Sequence, residues 1–305
     1  MPVRNLVAVL LTVAVAAFGG HAQAQNAMTQ EKLKVVASFS ILGDLVHQVG
    51  GDRISLTTLV GPNGDAHVYA PTPADAKVVA AAKLVVVNGL GLEGWLPRLA
   101  SASGGKKLTT VASNGVRPLK MEDEHKPGHM VSDPHAWQSI ANAKLYVANI
   151  RDGLIEADPA GATIYAANAT AYLAKLDALE REVQEAIARI PADRRKIITT
   201  HDAFGYFGKA YGMDFISPEG VATESEASAK DVARIIAQIR REKIPAVFME
   251  NISDPRLIRQ IARETGARIG GTLYSDALSD AKGQAATYID MIRNNIRQFG
   301  IALTG

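Results

Sequence analysis

"DPAGATIYAANATAYLAKLDALEREVQEAIARIP", residues 158–191, decides how the rest of the chain is organised. Asp158 and Pro159 have the chemistry of a helix start. A carboxylate accepts from the unpaired N–H groups of a first turn, and proline has no N–H to leave unpaired. Pro191 ends the run, because a proline inside a helix removes a hydrogen bond and clashes with the preceding turn. Between these limits Tyr172, Leu176, Leu179, Val183, Ala186 and Ile190 recur at spacings of three and four, the stripe of one buried face. A helix of roughly 30 residues is ~45 Å long at ~1.5 Å per residue. That is longer than a helix joining two neighbouring strands needs to be. Residues 156–191 therefore read as a rigid spine linking two lobes, 25–155 and 192–305, and no flexible Gly/Ser linker interrupts them. Such a spine implies small lobe motions.

On either side of the spine, apolar β-rich runs alternate with amphipathic helical ones. "KLKVVASFS", "ISLTTLV", "KLVVVNG" and "KKLTTVAS" read as strands before it, and "RKIITTHD", "MDFISPEG", "PAVFMEN" and "ARIGGTLYSD" after it. Strands that are apolar throughout and separated by helices imply parallel sheets covered on both faces. The class is α/β, with two similar lobes.

The first residues, "MPVRNLVAVLLTVAVAAFGGHAQAQ", carry a basic start at Arg4, an apolar run from Leu6 to about Phe18, and small residues at Ala22 and Ala24. This is the pattern of a secretory signal peptide, residues 1–24, cut after Ala24. The run is shorter than the ~20 residues a membrane span needs. The chain has no cysteine, so the exported protein relies on its core rather than on disulfides, and it lacks the residue that a lipid anchor would modify. A soluble periplasmic monomer is expected. The formal charge of +2 gives no basic patch for a nucleic-acid partner.

Four segments place a metal-ligating residue type just past a strand: His67 in "GPNGDAHVYAPTP", His135 in "SDPHAWQSI", His201 in "THDAF" and Asp276 in "TLYSDALSD". Ligands of open parallel sheets collect beyond the carboxyl ends of the strands. Two of these residues fall in each lobe, so the shared location is a cleft between lobes. Asp133 and Pro134 read as a helix start, which puts His135 in a first turn, where the helix dipole favours neutral imidazole. Three imidazoles and one carboxylate fill a tetrahedral Zn²⁺ shell and leave no position for an activated water. The pattern is that of a binding protein and not of an enzyme.

The chain resembles the metal-specific periplasmic solute-binding proteins of ABC transporters, the zinc-uptake branch in particular. The resemblance covers essentially all of the exported chain and rests on "GDAHVYAPTPAD", "VNGLGLEGWL", "SDPHAWQSI", "THDAFGYFGKAYGM", "TESEAS" and "TLYSDALS", in that order. It implies four-stranded lobes, His67, His135, His201 and Asp276 as the metal ligands, and transported Zn²⁺ as the cargo. The implied partner is a membrane permease with its ATPase, and a periplasmic metallochaperone fits as a donor. Manganese carriers of the family usually have Glu where this chain has His201, and three imidazoles favour Zn²⁺ over the more oxygen-seeking Mn²⁺. A manganese carrier and a metal-dependent adhesin are the rivals within the family. A secreted zinc hydrolase, with Glu224 or Glu226 as the base, is the rival outside it.

"MEDEHKPGHM", Met121–Met130, is a shorter form of the His- and acid-rich loop carried by zinc-specific relatives. His125 and His129 are its candidate auxiliary metal-capture residues. Trp95 and Trp137 read as core aromatics, Phe204, Phe207 and Tyr211 as packing beside the cleft, Asp202 as a helix cap, and His47 as packed in its helix.

Overall fold

The computed structural model describes the chain except residues 2–30, 106, 123–127, 222, 224–226 and 305. The chain divides into two units, Met1–Glu31 and Lys32–Gly305, and the second holds every strand and helix described. The signal-peptide reading of residues 1–24 lies outside the described residues. Among the described residues no helix is long and apolar enough to cross a membrane.

The first sheet contains β1 (Leu33–Phe39), β2 (Ile54–Val60), β3 (Leu84–Val87) and β4 (Thr109–Val111), all parallel, in the order β2-β1-β3-β4. Helices α1 (Ser40–Gly50), α2 (Pro73–Ala81), α3 (Leu96–Ala102) and α4 (Ile140–Ala157) accompany it. The start of α2 illustrates the local logic. The Thr72 hydroxyl accepts from the Asp75 N–H, the Asp75 carboxylate accepts from the Thr72 N–H, and Pro73 occupies the first turn. A short antiparallel hairpin, β5 (Lys120–Glu122) with β6 (Met130–Ser132), lies between β4 and α4. The two ends of "MEDEHKPGHM" are therefore paired, Met121 with Val131 and Glu122 with Met130, a pairing too short to show in the sequence pattern.

After the long helix α5 (Ala162–Ala188) comes the second sheet: β7 (Lys196–Ile198), β8 (Asp214–Ile216), β9 (Ala246–Glu250) and β10 (Arg268–Leu273). Its order is β10-β9-β7-β8, again parallel. Counted within its own half, each sheet has the same strand order, second-first-third-fourth. Helices α6 (Gly205–Tyr211), α7 (Ala229–Glu242), α8 (Arg256–Thr265) and α9 (Tyr288–Leu303) belong to this half. All eight strands expected from the sequence are present. In β10 the register with β9 shifts between Ile269 and Thr272, at Gly270-Gly271. Gly271 has φ +108°, and a Cβ on Gly270 would overlap the Phe248 ring, so the bulge needs glycine at both positions.

The spine differs in detail from its expected span of 156–191. Its helix is 27 residues, about 40 Å at 1.5 Å per residue, and a 3₁₀ turn, Pro159–Gly161, precedes it. Asp158 does not cap it. Its carboxylate instead accepts from Arg53 Nη2 at 2.7 Å and from the Tyr165 hydroxyl at 2.7 Å, tying the turn to the first lobe. The buried stripe is Tyr165, Ala169, Tyr172, Leu176, Leu179, Val183 and Ile187, with Ile187 where Ala186 was expected. Along this stripe α5 packs on α1 and α4 of the first half and on α9 of the second. The main apolar core is continuous through β1, α1, Trp137, α5 and α9, and a smaller one lies around Ile198, Val247 and the inner faces of α7 and α8. A core shared by both halves, at ~25 cal/mol per Å² of buried apolar surface, opposes wide lobe separation.

Candidate metal centre

The loops that leave the carboxyl ends of both sheets carry the four expected residues. His67 lies in the loop after β2. Asp65 Oδ1 accepts its backbone N–H at 2.8 Å, and Trp95 Nε1 donates to the Ala66 carbonyl at 2.9 Å, which pins the loop to the first lobe. From the other lobe, Thr223 Oγ1 donates to Asp65 Oδ2 at 2.5 Å.

His135 departs from its expected setting. No α-helix starts at Asp133. A 3₁₀ turn, Ala136–Gln138, follows His135, and α4 begins only at Ile140. The Asp133 carboxylate folds back instead: Oδ1 accepts the His135 backbone N–H at 2.9 Å and lies 2.8 Å from its Nδ1. The dipole argument for a neutral His135 fails with the helix that was to supply it. The structure places a buried carboxylate against the ring, which favours the cation. A short-range Asx-type contact and a helix cap have the same Asp-Pro signature in sequence.

His201 follows β7 and is held by Glu250, at the end of the adjacent β9. Glu250 Oε1 accepts the N–H groups of Thr200 at 2.7 Å and His201 at 3.0 Å, while Oε2 lies 2.6 Å from His201 Nδ1. Asp276 follows β10 and completes the group. Its Oδ2 is 3.0 Å from His67 Nε2, 3.1 Å from His201 Nε2 and 3.5 Å from His135 Nε2, and the Nε2 atoms of His67 and His135 are 3.2 Å apart. One ligand atom from each of the four residues lies within 4.8 Å of all the others. His135, His201 and Asp276 have no solvent exposure, and His67 has 8 %.

These separations suit a metal. A tetrahedral ion with bonds of ~2.0–2.1 Å has donor–donor edges of ~3.3 Å, within the range of the close contacts here. Asp276 Oδ1 is buried without a hydrogen-bond partner among the described residues, a cost of about 1–3 kcal/mol unless something takes its place. The two imidazoles flanked by carboxylates also have their outer nitrogens fixed, as metal-ligating histidines do.

Without metal the same contacts hold protons. Burial alone would lower the pKa of His135, but the Asp276 charge and the hydrogen bonds to Asp133 and Asp276 outweigh it and push it up to about 9. For His201, burial is again opposed and outweighed, here by the charges of Glu250 and Asp276, and its pKa lies well above the usual value. Burial pushes the Asp276 carboxyl up, yet the facing His135 and His201 hold it well below the ordinary carboxylate range.

Other expectations resolve less uniformly. Trp95, Trp137, Phe204, Phe207 and Tyr211 are buried, and Phe204 stacks on Phe215 with centroids 5.0 Å apart. Asp202 does not cap α6, which starts after Phe204 with no side-chain cap, and burial together with the Asp133 charge pushes Asp202 up to about 6. His47 is exposed on α1 rather than packed. His129 is exposed and does not join the four-residue group, while His125, Glu224 and Glu226 lie outside the described residues. Sequence reasoning missed Glu250 and misassigned Asp133. The signal for Glu250 was an acid closing the apolar run "PAVFMEN", a residue type that is buried only when paired.

Residues 35–302 match the family model described as zinc-uptake complex component A, periplasmic. Among curated proteins, the manganese-binding lipoprotein MntA of Halalkalibacterium halodurans is 35% identical over 292 residues, 95% of each chain. The iron-binding protein YfeA of Yersinia pestis is 36% identical over 268 residues, 88% of this chain and 85% of that one. Among solved structures, the periplasmic zinc-binding protein TroA from Treponema pallidum has a TM-score of 0.84 at 31% identity, covering 90% of this chain and all of that one.

Proposed function

Because the chain belongs to the zinc-uptake component A family, the metal-binding periplasmic substrate-binding proteins of ABC transporters, we propose that its cargo is Zn²⁺, held by His67, His135, His201 and Asp276. The family consists of carriers and not of enzymes. The observation that supports zinc is the donor set: three imidazole nitrogens and one carboxylate oxygen from four loops meet in one buried group. Zn²⁺ has no geometric preference from its d-electrons and accepts N₃O tetrahedral sites, whereas Mn²⁺ prefers more oxygen ligands and a higher coordination number. Four protein donors leave no open position for an activated water, which hydrolysis would require and transport does not.

In this reading the N-terminal lobe, 25–155, contributes His67 and His135, the C-terminal lobe, 192–305, contributes His201 and Asp276, and the spine of 156–191 joins them. The metal is captured in the periplasm after removal of residues 1–24, and the loaded protein docks on the permease.

Manganese is the second reading, since MntA carries that name. His201 separates the two. Elemental analysis of the purified protein, with competitive titration of Zn²⁺ against Mn²⁺, should give one tightly bound zinc per chain. In His201→Glu the added oxygen donor should move preference toward Mn²⁺. Tight Mn²⁺ binding by the unaltered protein, undisplaced by Zn²⁺, would overturn the zinc assignment.

A further inference from the structure

The two residues after Ala136 reach across the cleft to the residue before Asp276. Trp137 Nε1 donates to the Ser275 carbonyl at 2.9 Å, and Gln138 Nε2 donates to the same oxygen at 2.8 Å. Trp137, Gln138, Ser275 and Asp276 are all fully buried. A carbonyl oxygen offers two lone pairs, and here both are taken by donors from the opposite lobe. The donors are themselves held. The Trp137 ring lies against Phe39 of β1, with centroids 5.0 Å apart, and the Tyr288 hydroxyl at the start of α9 donates to the Trp137 carbonyl at 2.7 Å.

We propose that Trp137 and Gln138 are positioning residues for the metal: through the Ser275 carbonyl they hold Asp276, the site's one anionic ligand, at a fixed place relative to His135. The inference rests on the four-ligand reading of the site. The segment that presents His135 thereby also sets the carboxylate that the second lobe contributes. The outer nitrogens of His135 and His201 are fixed by carboxylates of their own lobes, Asp133 and Glu250. Among the described residues Asp276 has no such partner, since its Oδ1 is unpaired and Oδ2 faces only the imidazoles. Its place is set by its backbone, and its backbone by the other lobe. Lobe separation breaks both bonds to Ser275 and withdraws Asp276 together with His201 of the same lobe, leaving the ion with only His67 and His135. Metal release is in this way tied to a small relative movement, which suits lobes that share a core.

The test uses Trp137→Phe and Gln138→Met, singly and together, in the otherwise unaltered protein. The first keeps an aromatic ring and loses the N–H, and the second keeps the length and loses the amide. Three quantities are read: the Co²⁺ absorption spectrum, the rate of Zn²⁺ release into excess chelator, and melting with and without metal. Each single variant should release Zn²⁺ several-fold faster, and the double variant about 10–100-fold faster, the range found when an outer partner of a metal site is lost. The Co²⁺ bands should shift in position and intensity as the carboxylate loses its fixed place. A purely structural role would lower melting with and without metal alike and leave the Co²⁺ spectrum and Zn²⁺ release unchanged, and that result overturns the inference. Should the double variant not fold, the single variants carry the same comparison. An unaltered protein that binds neither Co²⁺ nor Zn²⁺ refutes the site assignment and the inference together, whereas normal binding with unaffected variants refutes the inference alone.

Discussion

Replacing Glu250 by glutamine tests how the centre chooses between metal and proton. In the proposed metal-bound state His201 Nε2 would be the ligand atom, so Nδ1 would carry the proton and need an acceptor. Glu250 Oε2, at 2.6 Å, is that acceptor, while Oε1 already serves the N–H groups of Thr200 and His201. A glutamine can keep only one of these arrangements. With its oxygen on the two backbone N–H groups, its NH₂ meets the Nδ1 proton donor to donor. If the amide turns over, both backbone donors lose their acceptor. The remaining escape moves the ring proton to Nε2 and removes the ligand. Each alternative leaves a buried group unsatisfied, at about 1–3 kcal/mol, which corresponds to a loss of about 10–100-fold in Zn²⁺ affinity. An opposing effect depends on pH. Glu250 also holds His201 in its protonated form, so its removal weakens proton competition near neutrality. The deficit should therefore be smaller at pH 7 and grow toward pH 9. Competition against a chromophoric zinc chelator at several pH values measures this directly. Affinity within twofold of the original protein at every pH, or a deficit that shrinks as pH rises, would refute the reasoning.

His201→Ala should weaken Zn²⁺ binding by at least tenfold, about 1.4 kcal/mol, by the same competition assay. With His135 raised to about 9 and His201 held well above its usual value in the metal-free protein, Zn²⁺ binding at pH 7.5 should release more than one proton. Calorimetry in buffers of different ionisation enthalpy counts them. The raised His135 pKa stabilises the metal-free fold fully below the unfolded value of about 6.5 and loses that contribution as pH rises toward 9, whereas the depressed Asp276 pKa stabilises above about 3.8 and is lost on acidification. Melting of the metal-free protein should accordingly decline from pH 6.5 to 9 and again below pH 4. Deleting residues 123–129, which spares the Glu122–Met130 pairing of the hairpin, should leave Zn²⁺ affinity within about tenfold and slow loading from dilute zinc, as stopped-flow mixing would read.

Much of this protein is written locally. The eight strands and the spine follow from apolar runs, period-three-and-four stripes and proline punctuation, because each depends on which residues lie a few positions apart. The four ligand candidates were legible for a related reason: parallel topology sends every strand-end loop to one edge, so residue type and position suffice. Fine boundaries were not, since Asp158 could cap a helix or pair with Arg53, and only the approach of Arg53, 105 residues away, decides. Asp133 was open in the same way between a cap and an imidazole contact. Glu250 became a partner of His201 only because the strand order sets β9 beside β7. The protonation of the centre depends on three carboxylates brought from distant segments into one buried site, where burial and charge oppose each other. Sequence determined which groups the chain would bring to the cleft. Tertiary structure decided which of them face one another, because electrostatic coupling depends on distances and burial that no local pattern contains.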